Sequence, residues 1–171
     1  MSPSLEQLHA ELTRLLPQPA GQPLDHGEGS AAVPAPVPSR CQIVDAKVKG
    51  YHLDASVHAS EVVAVAEALD RNGFTIDCIT GVDWMAAGDM EVVYDFFHWA
   101  VPLHVVFRTR LPRANPEVPT ISTVFPGANW HERETHEFLG IRFLGHPNLT
   151  PLLLPEDALY HPLRKDFAGV A

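Results

Sequence analysis

Apolar residues first recur at Leu5, Leu8, Leu12 and Leu15. That spacing predicts a helix with Ser2 or Ser4 as its cap and Pro17 as its end. One stripe on so short a helix is marginal alone, so it should dock on the body of the chain or on a partner. Residues 17–40 then carry six prolines and three glycines, including VPAPVP, and read as a Pro/Gly-rich linker of extended character.

The body begins near Ile43. Val44, Ala46 and Val48 alternate with Asp45, Lys47 and Lys49, which predicts a strand with one wet face. Val62, Val65, Ala66 and Leu69 share a helical face, with Ser60 as cap and Gly73 as stop. Phe74, Ile76, Cys78 and Val82 should line one side of the next strand. MEVVYDFFHWA is apolar on both faces, which predicts a central strand covered on both sides, with AAGD as the preceding turn. Leu103, Val105 and Phe107 then alternate with His104, Arg108 and Arg110. Short links among these three strands predict an antiparallel meander. Thr120 can cap a helical turn reaching Phe125, and a helix over roughly Trp130–Leu139 should end at Gly140. Beyond it Pro147, Pro151, Pro155 and Pro162 preclude any long regular element. The expected organisation is an N-terminal helix (1–16), the linker (17–40), an α/β core (41–127), and a charged helix with an extended tail (128–171).

Composition narrows the chemistry. The 171 residues are 46% hydrophobic and 19% charged, enough for one ordinary core. A net charge of −9 argues against nucleic acid as a main partner, because phosphate neutralisation needs a basic face. Two cysteines, Cys41 and Cys78, have no metal or redox spacing and predict reduced structural thiols. Neither a signal-peptide pattern nor an apolar run of membrane-spanning length stands in the sequence, so the expectation is a cytosolic or peripheral protein. No glycine-rich phosphate loop follows a strand.

Three readings compete for His131-Glu132-Arg133-Glu134-Thr135-His136. It is one residue too long for the zinc motif HExxH, and residues five apart on a helix diverge by about 140°. A metallohydrolase built on this helix is therefore disfavoured. The alternative readings are a solvated face with an Arg133–Glu137 pair, or an interface at which Arg133 forks to a partner's carboxylate. His98 and His104 read as cross-strand neighbours. An adaptor function through VPAPVP is a further alternative.

The segment ANWHERETHEFLGIRFLGHPNL, followed by LLLPED and HPLRKDF, resembles the thirty-kilodalton subunit of respiratory complex I. In bacteria that family supplies the C subunit of NADH–quinone oxidoreductase, and relatives occur in membrane-bound nickel–iron hydrogenases. The resemblance is strong over about 115 to 171 and looser over 43–111, where ITGVDW and EVVYDFFHW fit. Thr150 and Pro151 stand where the family usually carries basic residues, and Glu137 where it often has Asp.

The resemblance implies a two-layer α/β (α+β) domain, with helices packed on a small mixed, largely antiparallel sheet and an extended Pro-rich C-terminal tail. It implies a non-catalytic subunit of a proton-translocating NADH–quinone oxidoreductase, or alternatively of an energy-converting nickel–iron hydrogenase. Such a subunit binds no flavin, cluster or metal, while FMN and iron–sulfur clusters belong to other subunits. The implied partners are the large subunit (the forty-nine-kilodalton type) beside the quinone site and neighbouring iron–sulfur subunits. The implied location is the cytoplasmic side of the cell membrane, reached only through the complex. The interface residues carried over are Trp130, Glu132, Arg133, Glu134, Glu137, Gly140, His146, Pro147, Pro155, Asp157, His161, Pro162, Leu163, Arg164, Lys165 and Asp166. On this expectation the tail's backbone groups find their partners on another subunit.

Overall fold

In the computed structural model, residues 3–16 and 40–169 are described. The linker and its VPAPVP run lie, but for Arg40, outside the described residues. Helix α1 (Leu5–Leu15) opens with a capping box: the Ser4 hydroxyl accepts from Gln7 N–H while the Gln7 side chain accepts from Ser4 N–H. Its stripe docks on the body of this chain, with Leu8 and Leu12 fully buried. It lies against β1 (Cys41–Ile43) and α3 (Val62–Arg71).

The strand expected over residues 44–49 is not there. Residues Ala46–Lys49 form one helical turn, α2, because the Asp45 carboxylate caps Lys47 N–H and Gly50 (φ 83°) stops it. Local capping outweighs a short alternation. Strand β2 (Leu53–Ser56) pairs antiparallel with β1. Ser60 lies in a short 3-10 turn ahead of α3, where His58 N–H donates to Glu61 at 2.9 Å. Gly73 (φ 78°) closes α3 as expected.

The meander forms from β3 (Phe74–Trp84), β4 (Asp89–His98) and β5 (His104–Pro112), all antiparallel. Strand β5 then pairs parallel with β2, giving the order β1-β2-β5-β4-β3. A bulge between Ile76 and Cys78 reverses the parity of β3. Cys78 and Val82 therefore do not continue the Phe74 and Ile76 face; Ile79 and Asp83 are buried in their place. His98 N–H donates to Leu103 O across the β4–β5 turn, where His104 faces Phe97.

Cys41, Ala55, Phe107, Tyr94 and Ile79 form a buried row across all five strands. Tyr94 stacks on Phe107 at 4.5 Å. Each such aromatic burial contributes about 2–3 kcal/mol. Burial also pushes the Cys41 thiol up to about 11, so it stays protonated.

The apolar clusters of α1 and α3 and the last helix all join this one face. The opposite row, Cys78, Asp95, Val106, Asp54 and Gln42, is polar in character. Strand β4 is thus paired on both edges but covered on one face only, and Val93 and Phe97 are half-exposed. The expectation of cover on both faces fails within this chain.

Two further strands, β6 (Glu117–Pro119) and β7 (Arg142–Leu144), pair in parallel around α4 (Ala128–Leu139). Leu139, Ile141 and Phe143 share the core cluster with the sheet residues, so the body is continuous across residue 128. Gly81 is where α4 meets the sheet most closely. A Cβ there would meet Leu139 Cδ1 and, at 2.8 Å, Thr135 Cγ2.

Candidate functional site: the last helix and its strapped tail

Helix α4 begins at Ala128, two residues before the expected start, and ends where Gly140 takes φ 76°. Its charged side chains do not form a solvated face. Glu132 is fully buried and Glu137 is 4% exposed, while Glu134 stays in solvent. The Glu132 carboxyl accepts from the Thr120 hydroxyl and, at 2.8 Å, from Ile121 N–H. Thr120 therefore holds Glu132 as well as Ser122 N–H, within a turn in which Phe125 N–H reaches Ile121 O. His146 Nε2 lies 3.8 Å from the same carboxylate and donates to Asn129 O. Burial pushes Glu132 up to about 7, against the lowering effect of its two donors. Burial also holds His146 below its ordinary value.

Glu137 does not pair with Arg133. Its carboxylate accepts from three successive backbone N–H groups of the tail, those of Leu152, Leu153 and Leu154, at 2.8–3.0 Å. Arg133 turns to the same loop: its guanidinium donates to Thr150 O (2.9 Å) and Pro151 O (2.8 Å). Thr150 and Pro151 thus supply the acceptors. One turn of helix grips one turn of tail from both charge signs.

The strap continues over the helix end. His161 Nδ1 donates to Glu137 O at 2.8 Å, Leu163 N–H to Phe138 O at 3.1 Å, and Arg164 Nε to Leu139 O at 2.7 Å. These carbonyls belong to the last turn of α4, which no helical N–H can satisfy. Gly140 allows this approach, since a Cβ there would meet His161 Nε2 at 2.6 Å. Two residues that sequence reasoning missed then fix the tail. Asp83 accepts from Arg113 (2.8 and 3.0 Å) and from Lys165 N–H (2.8 Å), and Arg113 also pairs with Asp166 at 2.7 Å. The Arg113 guanidinium holds the Asp83 carboxyl below the usual range. The bulge in β3 hid Asp83, because without it residue 83 would face outward.

The tail's backbone therefore finds partners inside this chain, contrary to the expectation that another subunit supplies them. Of the carried-over residues, Glu132, Glu137, Arg133, His161 and Arg164 are spent on internal bonds, and Gly140 and half-buried Pro162 serve the crossing. Trp130 (58% exposed), Glu134, Pro147, Pro155, Asp157, Leu163 (60% exposed) and Lys165 face outward, as do Leu153 and Leu159. The Arg133 guanidinium lies 5.4 Å over the Trp130 ring. Within α4, His136 Nδ1 is engaged by Ile141 O at 2.9 Å. No group of three metal-ligating side chains converges among the described residues, nor is any of their helices long and apolar enough to cross a membrane.

Fold and surface define a two-layer α/β domain whose proline-rich tail is strapped over its last helix and presents apolar side chains outward. Residues 55–171 match the family described as the respiratory-chain NADH dehydrogenase 30 Kd subunit, and the chain belongs to that family. It is 44% identical to the C subunit of the F(420)H(2) dehydrogenase of Methanosarcina mazei over 92 residues, 53% of this chain and 58% of that one. It is 38% identical to the C subunit of the NADH-quinone oxidoreductase of Roseiflexus castenholzii over 120 residues, 66% of this chain and 69% of the relative. A chain in the structure of the membrane-bound sulfane sulfur reductase, an archaeal respiratory membrane complex, superposes with a TM-score of 0.62 at 28% identity. That match covers 67% of this chain and 71% of the other.

Proposed function

We propose that this chain is the small, thirty-kilodalton-type subunit of the peripheral arm of a proton-translocating quinone-reducing complex of the NADH–quinone oxidoreductase kind. In that role it binds no flavin, cluster or metal. It holds the large subunit beside the quinone site, with iron–sulfur subunits as neighbours, on the cytoplasmic side of the membrane. The observation that carries this is the strapped tail. The internal bonds of Glu137, Arg133 and Arg164 fix a proline-rich segment in advance, so its outward Leu153, Leu159 and Leu163, together with Trp130 of α4, meet a partner with little ordering cost. Exposed apolar side chains gathered on one such segment mark an interface.

The experiment is purification of the native complex from cells carrying either the intact chain or one ending before Leu152. The intact chain should co-purify in fixed ratio with a large subunit and flavin- and cluster-bearing subunits. Retention of the truncated chain at the same ratio would overturn the reading.

A second reading concerns the electron donor. The 44% identity to a subunit of an F(420)H(2) dehydrogenase favours a complex that takes electrons from a donor other than NADH. A hydrogenase-type complex falls under the same reading. Reduction of quinone by the purified complex, assayed with NADH, with F(420)H(2) and with hydrogen, separates the three.

A further inference from the structure

We propose that the outer edge of β3 between Asp77 and Gly81 takes an extended segment of a partner polypeptide, bearing a basic side chain, as a sixth strand of the sheet. The observation is an edge with nothing on it. Strand β3 ends the sheet order, and β4 occupies only its inner side. Among the described residues, the backbone of residues 77–81 makes no bond to anything but β4. Edge strands are normally blunted by bulges, charges or cover, because unpaired N–H and C=O groups recruit other chains.

Here those devices stop on either side of the gap. The bulge falls at Asp77, where the stretch begins, and past its far end the Asp83 carboxylate accepts from Lys165 N–H of the tail. The four residues past the bulge, 78–81, suit a short added strand of about 13 Å. It is also shaped to receive one. A groove of about 360 Å³ runs along it, floored by Thr80 and Gly81 and walled by His131, Glu134 and Phe138, with Leu163 at its end. Side chains of an added strand alternate, so one set would enter this groove while backbone bonds set the register.

Charge selects the occupant. Exposed Glu134 lines the groove, exposed Asp77 precedes its first residue Cys78 at the bulge, and no Lys or Arg lines the groove. Asp95, across from Cys78, already feels Asp77 and is raised by burial and by that neighbour. A basic side chain relieves this concentration of like charge. A second copy of the chain would instead bring the same acidic groups to both sides of the seam. Leu163 also joins the groove to the outward face of the tail, so one partner surface can span both.

This inference rests on the reading of the chain as a subunit of a complex. Hydrogen–deuterium exchange tests it, on the full chain alone at two concentrations and within the purified native complex. The free chain should exchange its outward amides in 77–81 rapidly at both concentrations. In the complex they should slow at least about tenfold, and Glu134→Lys should restore much of the fast exchange. Protection already present in the dilute free chain would mean that its own segment fills the edge, and protection appearing only on concentration would mean a second copy. Either overturns the proposal, as does insensitivity to Glu134→Lys. Unchanged exchange at 77–81 with protection over 152–166 overturns it while leaving the docking function intact. Failure to recover any complex overturns both.

Discussion

The fold opposes ionisation of Glu132. Its carboxyl is fully buried, receives two hydrogen bonds, and has neutral His146 rather than a fixed cation beside it. A carboxyl raised to about 7 when folded, from 4.5, stabilises the fold most below pH 4.5. That contribution is lost as pH rises through about 7. His146 runs the other way, since a lowered imidazole favours the fold above its ordinary value of 6.5. Glu132→Gln keeps an acceptor for Ile121 N–H and offers its amide N–H to the Thr120 hydroxyl oxygen, but cannot ionise. Chemical denaturation should show the variant gaining on wild type by on the order of 2–3 kcal/mol between pH 5 and pH 8. Comparing the two proteins cancels His146, and parallel stability curves would refute a neutral Glu132. Gly140 is a second single-residue constraint. Gly140→Ala places a Cβ at φ 76° against His161 and should cost more than about 1 kcal/mol. Thermal unfolding measures that, and a loss confined to the tail should appear as faster exchange over 161–166.

At the scale of elements, the tail is held by the ends of others. The last turn of α4 offers carbonyls, β3 offers Asp83, and the segment after β5 offers Arg113. Asp83→Asn removes the charge that organises Arg113 and weakens the bond to Lys165 N–H. The body should stay folded, since α4 and β7 keep their own core contacts. Limited proteolysis should then cut within residues 158–169 about tenfold faster than in wild type. If cleavage stays equal, the Asp83 anchor is not what holds the segment. Helix α1 behaves differently, being tied by apolar burial of Leu8 and Leu12 rather than by polar straps. Leu12→Ala should therefore lower global stability by about 2–4 kcal/mol in a denaturant titration, with no selective effect on the tail.

Across the whole molecule, the long elements were legible in the sequence because their patterns outlast local noise. The leucine stripe of α1, the face of α3 and the meander all formed from residues that the spacing picked out. What stayed hidden arose from single residues that redirect the chain. Asp45 and Gly50 turned an alternating run into a helical turn, and one bulged residue moved Asp83 inward. The site was legible as a segment and not as a set of bonds. Spacing along α4 placed Arg133 four residues before Glu137, yet both reach into a loop that no helical period describes.

The grip of Glu137 on residues 152–154 uses only backbone N–H groups, which every residue but proline possesses. The lock is therefore blind to the letters it holds. Exposed Leu153 can be exchanged for nearly any side chain without loosening it, leaving the alphabet at this position free to be dictated by whatever lies against it. Saturation mutagenesis read out by proteolytic resistance should find proline alone excluded at 153, where both carboxylate oxygens converge. Position 137, by contrast, should tolerate little beyond a carboxylate. A strap of this kind lets the outer surface be rewritten for a new neighbour while its attachment stays the same.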